Sequence, residues 1–191
     1  MPGLDRLGFN QKLPFEISVA ESQYSNTDQI ETEIQLADSG YGQGQVLVNP
    51  VHLASLYTMY PNRGKVLKPY LVYKDTPEPE VWIEDACTPE TAEIVEDGMK
   101  AVISSEHGTG HAAMRSDITL AGKTGTAEIK ASKEDTSGTE LGWFAVYTAD
   151  ADMQKPVLMV SMVEDVKNAG GSGLVVRKSR DVLGAYIPSG Q

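Results

Sequence analysis

The hydrophobic pattern in the second half of the chain predicts a small sheet. Three runs rich in β-branched and aromatic residues, at 120–129, 141–148 and 157–164, are typical of strands. The polar linkers between them hold roughly a dozen and eight residues, which is too short for the crossover that joins parallel strands. We therefore expect a three-strand antiparallel meander.

The first half contains one clear helical pattern. Asn49 is a favourable N-cap, and Pro50 suits the first helical position because an amide hydrogen there would have no partner within the helix. Apolar residues then recur at helical spacing as far as 61–64, where we expect the helix to stop. Residues 1–36 predict irregular structure with short helical turns, and the glycine-rich run 37–45 predicts a tight loop.

Two further helices are predicted, each with one apolar face. Thr88 caps the first, which begins at Pro89 and should end before Gly108-Thr109-Gly110. The second follows the glycine-rich segment 170–173 and should cover the sheet. The expected inward-facing residues are Ala92, Val95, Met99 and Val102 in the first helix, and Val175, Val182 and Tyr186 in the second.

Short runs at 69–74 and 81–83, separated by Pro77 and Pro79, favour a small hairpin or paired edge segments. With the helices and the meander they predict an α+β fold, an antiparallel sheet packed with helices.

Composition narrows the possible functions. The chain has 191 residues, 40% of them hydrophobic, and a net charge of -11, which suits a globular core and argues against nucleic acid as a partner. No apolar run approaches eighteen residues and no signal peptide is recognisable, so we expect this chain to be soluble.

Metal and cofactor sites are not predicted. Cys87 is the single cysteine, which excludes an internal disulfide, and we expect it to be a small residue near a turn. His52, His107 and His111 are too scattered for a metal site. The glycines in the run 37–45 have the wrong spacing for a dinucleotide loop.

Candidate chemistry lies in Lys123-Thr124-Gly125-Thr126, at the start of the first predicted strand. A lysine flanked by hydroxyls can hold a carboxylate by charge-assisted hydrogen bonds, an attraction of about 4 kcal/mol at an effective dielectric of 20. Gly125 leaves space for a substrate strand against the edge strand. The amide of Thr126 could be one of two donors to an oxyanion.

Further residues around this segment indicate which protein family the chain resembles. Lys-Thr-Gly is one signature of penicillin-binding proteins and class A β-lactamases. Here it extends to Lys-Thr-Gly-Thr-Ala-Glu, follows Ala121-Gly122, and precedes Gly142-Trp143-Phe144, while 37–50 adds a matching loop and helix start. From about 36 to 165 the chain resembles the C-terminal half of the transpeptidase domain of class B penicillin-binding proteins, particularly the low-affinity, β-lactam-resistant group of Gram-positive bacteria.

The resemblance implies a penicillin-binding-protein and serine β-lactamase-like fold, and a role for each site residue. Lys123, Thr124 and Gly125 match the motif that binds the substrate or drug carboxylate, and Thr126 matches the residue whose amide lies in the oxyanion hole. Glu128 is explained at least as well by a solvated or structural role, and Trp143 is expected to pack in the sheet.

In that family a serine attacks the D-alanyl-D-alanine end of a peptidoglycan stem peptide, and an amine on a neighbouring strand takes the acyl group. Penicillins acylate the same serine. The resemblance therefore implies stem peptides and β-lactams as partners of an intact parent, at the extracytoplasmic face of the plasma membrane.

Two family motifs, Ser-x-x-Lys and Ser-x-Asn, are absent from the sequence. Because loss of the nucleophile costs several powers of ten in rate, we interpret residues 1–191 as an incomplete, C-terminal portion of the domain that is inactive alone. Strands that precede the nucleophile in the family would also be missing, so 157–164 should keep an unpaired edge and favour self-association.

Two alternatives stay open. One is a non-catalytic module that binds cell-wall peptides. The other, less favoured, is a serine β-lactamase, whose usual continuation after Lys-Thr-Gly differs from Thr-Ala-Glu.

Overall fold

The computed structural model describes residues 2–27, 29–72, 75–76, 78–129, 137–153 and 155–188. They fall into two compact units, Met1–Glu93 and Ile94–Gln191. The helices are α1 (Pro2–Arg6), α2 (Glu33–Ser39), α3 (Pro50–Tyr57), α4 (Pro89–Ser104) and α5 (Ser172–Tyr186), and the strands are β1 (Val66–Leu67), β2 (Val81–Ile83), β3 (Leu120–Ile129), β4 (Thr139–Thr148) and β5 (Leu158–Val163).

The first unit is built around α3 and a two-stranded hairpin. As predicted, Asn49 caps α3, with its side-chain oxygen accepting a hydrogen bond from the amide of Val51. The helix ends at Tyr57, and turns continue to Gly64, where an added Cβ would lie 2.1 Å from the carbonyl oxygen of Cys87. The buried cluster of this unit consists of Phe9, Tyr24, Leu56, Met59, Val66 and Ala86.

The first strand of the hairpin lies earlier in the chain than predicted, whereas the second coincides with the predicted 81–83. β1 pairs antiparallel with β2, so the expected strand at 69–74 is wrong where it is described, at 69–72. Pro69 cannot donate to a ladder, and Leu71 and Val72 are each 61% exposed whereas Val66 is fully buried. Residues 73–74 and Pro77 lie outside the described residues.

The predicted loop 37–45 is also shorter than expected. Thr32 caps α2 by accepting from the amide of Gln35, and the helix includes 37–39. Turns follow it, with positive φ angles of 77° at Gly42 and 69° at Gly44, which glycine adopts without strain.

The second unit contains the predicted meander. β3 pairs antiparallel with β4 and β4 with β5, in the order β3-β4-β5. The register is continuous along β3, with Lys123 opposite Ala145 and Gly125 opposite Trp143. α5 covers the sheet, and the core consists of Ile103, Ala113, Leu120, Phe144, Val146, Val166, Val175, Val176 and Leu183.

The inward faces of α4 and α5 are rotated from those predicted. In α4, Ala92, Met99 and Ile103 are buried, whereas Val95 is 38% exposed and Val102 half-buried. At about 100° per residue, the two valines lie on the flank of the buried stripe.

In α5 the buried arc runs through Val175, Val176, Ser179 and Leu183. Val182 and Tyr186 are 58% and 66% exposed, so only Val175 of the predicted face was right. No helix among the described residues is both long and apolar enough to span a bilayer.

Candidate functional site

The candidate site is one stretch of β3, at the edge of the described three-stranded sheet. Lys123 and Thr126 are exposed, whereas Thr124 is only 8% exposed. Because successive side chains of a strand point to opposite faces, Lys123 and Gly125 lie on one face of β3 and Thr124 and Thr126 on the other. The structure therefore brings all four predicted site residues onto one strand edge.

Hydrogen bonds at the two ends of the sheet fix the direction of the β3 backbone. The amide of Ala149 donates to the carbonyl oxygen of Thr119 at 2.9 Å, so residue 119 faces β4. The amide of Val166 donates to the carbonyl of Glu140 at 2.7 Å, which turns Glu140 away from its register partner Glu128. Since orientation alternates along an antiparallel strand, the even-numbered residues of β3 direct their amide and carbonyl groups away from β4.

A hydrogen bond between Lys123 and Thr124 agrees with this direction of the β3 backbone. The Nζ atom of Lys123 donates to the carbonyl oxygen of Thr124 at 2.7 Å, as expected for an oxygen that faces away from β4 and takes no part in the β3–β4 ladder. By the same alternation the amide of Thr126 points to that outer side. The outer edge thus combines an ammonium, two threonines and an outward amide, the groups needed to hold a carboxylate and polarise a nearby carbonyl.

Gly125 is not required by the packing of the sheet. A Cβ added there would meet the Cβ of Trp143 at 3.5 Å, an ordinary contact. At Gly122 it would lie 2.7 Å from the carbonyl oxygen of Ala145, and at Gly142 it would lie 2.8 Å from the side chains of the core. Because glycine inside a strand costs roughly 0.5–1 kcal/mol relative to alanine, the glycine at position 125 calls for a reason outside the fold.

Trp143 and Glu128 both lie in the β3–β4 ladder. Trp143 is half-buried opposite Gly125, and Glu128 is exposed opposite Glu140. Trp143 thus shares the face of Lys123 and Gly125.

Thr109 was missed by sequence reasoning. Its Oγ1 lies 2.7 Å from the Oγ1 of Thr124. The available signal is the Gly108-Thr109-Gly110 sequence, which by itself predicts only the end of a helix.

The histidines have separate structural partners. His52 is fully buried, with Nδ1 2.7 Å from the hydroxyl of Ser22 and Nε2 2.8 Å from the carbonyl oxygen of Leu7, and burial lowers its pKa. His111 bonds the carbonyl of Ile103, and His107 is exposed.

Cys87 is half-buried, and burial raises the pKa of its thiol. Within the described ranges, no group of three or more histidine, cysteine or acidic residues could hold a metal.

The class of protein is shown by comparison with protein families. The family model of the penicillin binding protein transpeptidase domain matches residues 1–183. The chain therefore belongs to the penicillin-binding protein transpeptidase family, which confirms the family and the fold class expected from the sequence.

Two curated relatives support this assignment. The chain is 40% identical over 178 residues to penicillin-binding protein 3 of Bacillus subtilis, covering 93% of this chain and 26% of the relative. It is 32% identical over 164 residues to the peptidoglycan D,D-transpeptidase MrdA of Haemophilus influenzae, covering 78% of this chain and 25% of the relative. The chain thus spans about a quarter of the length of these relatives.

The fold is shared with PBPA of Mycobacterium tuberculosis. The crystal structure of that protein superposes with a TM-score of 0.73 at 21% identity, over 96% of this chain and 42% of PBPA.

Proposed function

We propose that residues 1–191 are the C-terminal portion of the transpeptidase domain of a class B penicillin-binding protein. The intact parent would be a peptidoglycan D,D-transpeptidase that works through a serine acyl-enzyme and is acylated by penicillins. The similarity to MrdA of Haemophilus influenzae, a peptidoglycan D,D-transpeptidase, supports this activity. The family match over nearly the whole chain supports the domain assignment.

In this proposal the outer edge of β3 is half of an active site. The ammonium of Lys123 and the hydroxyls of Thr124 and Thr126 bind the carboxylate of the stem peptide or the drug. The substrate lies along the strand beside Gly125, and the amide of Thr126 donates to the oxyanion. The observation that carries the proposal is the outward direction of the Thr126 amide, next to a cation and to a glycine that the fold does not require.

The same proposal assigns no turnover to this chain. Acylation needs a nucleophile, and neither Ser-x-x-Lys nor Ser-x-Asn occurs in the sequence. The binding edge alone can hold an anion but cannot form an acyl-enzyme.

Labelling with fluorescent penicillin tests both statements. The 191-residue chain is compared with a longer protein that extends upstream through the two missing motifs, and with that longer protein carrying alanine in place of its nucleophilic serine. We expect a covalent label only on the longer protein with its serine. A label on the short chain would refute its inactivity, and an unlabelled longer protein would favour the peptide-binding module instead.

We further propose that the parent belongs to the low-affinity, β-lactam-resistant group of Gram-positive bacteria and acts at the extracytoplasmic face of the plasma membrane. The sequence resemblance supports the group. We expect that half of the longer protein is labelled only at a high penicillin concentration. Half-labelling at a low concentration would contradict the low-affinity assignment. Detection of the native parent inside the cytoplasm would contradict the location.

We also propose that the short chain self-associates. β5 is the outer strand of the described meander on the side opposite β3, and a strand edge tends to pair. Sedimentation should show the molecular mass rising with concentration, and a monomer across a wide range would contradict the proposal.

A further inference from the structure

We propose that Thr109 is a positioning residue for the carboxylate site, acting through the hydroxyl of Thr124. The inference rests on the proposed function of β3. Its basis is the 2.7 Å distance between the Oγ1 atoms of the two threonines. Thr109 lies fifteen residues before Thr124 and outside the strand, so the turn after α4 has to bring it there.

The turn is held firmly against the end of α4. A Cβ on Gly108 would lie 2.1 Å from the carbonyl oxygen of Val102, so only glycine allows this close approach. The amide of Gly110 donates to that same carbonyl at 3.1 Å. These two contacts fix the backbone on both sides of Thr109, and its side chain is therefore presented to β3 in a defined place.

The number of hydroxyl protons sets the direction of the hydrogen bond when a carboxylate binds. A threonine hydroxyl has one proton and can accept from two donors. To bind an anion, Thr124 has to give its proton to the carboxylate, so it can only accept from Thr109. The result is a relay in which Thr109 donates to Thr124 and Thr124 donates to the ligand, and each bond polarises the next.

Because Thr124 is buried, the orientation of its hydroxyl depends on Thr109. With 8% of its surface exposed, Thr124 meets few donors other than Thr109, and because Thr109 is itself exposed, removal of its hydroxyl leaves at most a mobile water in place of a fixed donor. Without the Thr109 hydroxyl, the Thr124 proton is no longer directed to the ligand. A neutral hydrogen bond of this kind corresponds to a roughly two- to tenfold change in rate.

The test measures acylation by penicillin G in the longer protein that contains the nucleophile motif. The variants are Thr109→Val, which keeps the shape and removes the hydroxyl, and Thr109→Ser, which keeps the hydroxyl. Thr139→Val, an exposed strand residue paired with Ile129 beyond the four site residues, is the matched control. Each variant is also reacted with penicillin G methyl ester, which has no carboxylate.

We expect Thr109→Val to lower the second-order acylation rate by roughly two- to tenfold, and Thr109→Ser to restore most of it. The loss should disappear with the methyl ester, and Thr109→Val should add nothing in a Thr124→Val background. A structural role alone would slow both ligands or change only the folded fraction, which urea unfolding of the same variants reports.

The outcomes separate the inference from the proposed function. If the longer wild-type protein reacts but Thr109→Val reacts at the same rate, the inference is wrong and the proposed function stands. A loss that is equal for the acid and the ester also overturns the inference. If the wild-type protein does not react at all, the proposed function fails and takes the inference with it.

Discussion

Replacement of Gly125 by alanine separates fold from function most clearly. It should maintain or raise the stability of the chain but slow acylation. The added methyl would contact Trp143 at an ordinary 3.5 Å. The chain would also lose the entropy cost of a glycine in a strand. Gly125→Ala should therefore leave stability unchanged or raise it by up to about 1 kcal/mol.

Function should respond in the opposite direction. In the proposed function the substrate backbone passes Gly125, so the added methyl should lower acylation of the longer protein by penicillin at least tenfold, corresponding to about 1.4 kcal/mol. Gly122→Ala is the matched comparison, since its Cβ would lie 2.7 Å from the carbonyl oxygen of Ala145. Overpacking of that kind costs roughly 1–3 kcal/mol of stability.

The assay pairs urea unfolding of the 191-residue chain with acylation kinetics of the longer protein. Wild-type acylation in a stable Gly125→Ala variant would refute the role of Gly125. Destabilisation of Gly125→Ala to the level of Gly122→Ala would refute the structural reasoning.

Three further predictions concern other residues. Lys123→Ala in the longer protein should slow acylation roughly ten- to a hundredfold, the value of a hydrogen bond to a charged group, whereas an equal effect on the methyl ester would contradict carboxylate binding. Because burial lowers the pKa of His52, the unfolded chain binds a proton that the folded chain excludes. The free energy of unfolding should therefore fall as the pH drops below about 6.5, by at most about 1.4 kcal/mol per pH unit, and level off below the folded pKa. Urea unfolding at several pH values should show a weaker pH dependence of stability in His52→Gln. An unchanged pH dependence in that variant would contradict this. Asn49→Ala should cost about 0.5–2 kcal/mol through loss of the α3 cap, and an unchanged urea midpoint would contradict the capping role.

Local signals predicted the elements well. The strand β3 has the predicted bounds because a polar linker and a β-rich run define its ends, and α3 and α4 begin where Asn49 and Thr88 precede a proline. The first strand of the hairpin was misplaced because exposed aromatic and β-branched residues at 69–72 give the same local signal as a buried strand, whereas β2 has the predicted bounds.

Features that depend on tertiary packing could not be predicted from the sequence. Apolar spacing located α4 and α5 but not the side that faces the core, which depends on docking and left Val95 and Val182 outside the buried stripes. The outward direction of the Thr126 amide depends on the register with β4. The Thr109 contact depends on where a turn meets a strand: Gly108-Thr109-Gly110 indicates the turn but not the strand residue that it contacts.

The most direct test of the central claim is a crystal structure of the longer protein acylated by penicillin G. We predict the drug carboxylate within hydrogen-bonding distance of the hydroxyls of Thr124 and Thr126. The acyl carbonyl oxygen should lie about 2.7–3.1 Å from the amide nitrogen of Thr126. A carboxylate bound away from β3, or an acyl oxygen facing another part of the protein, would contradict the account.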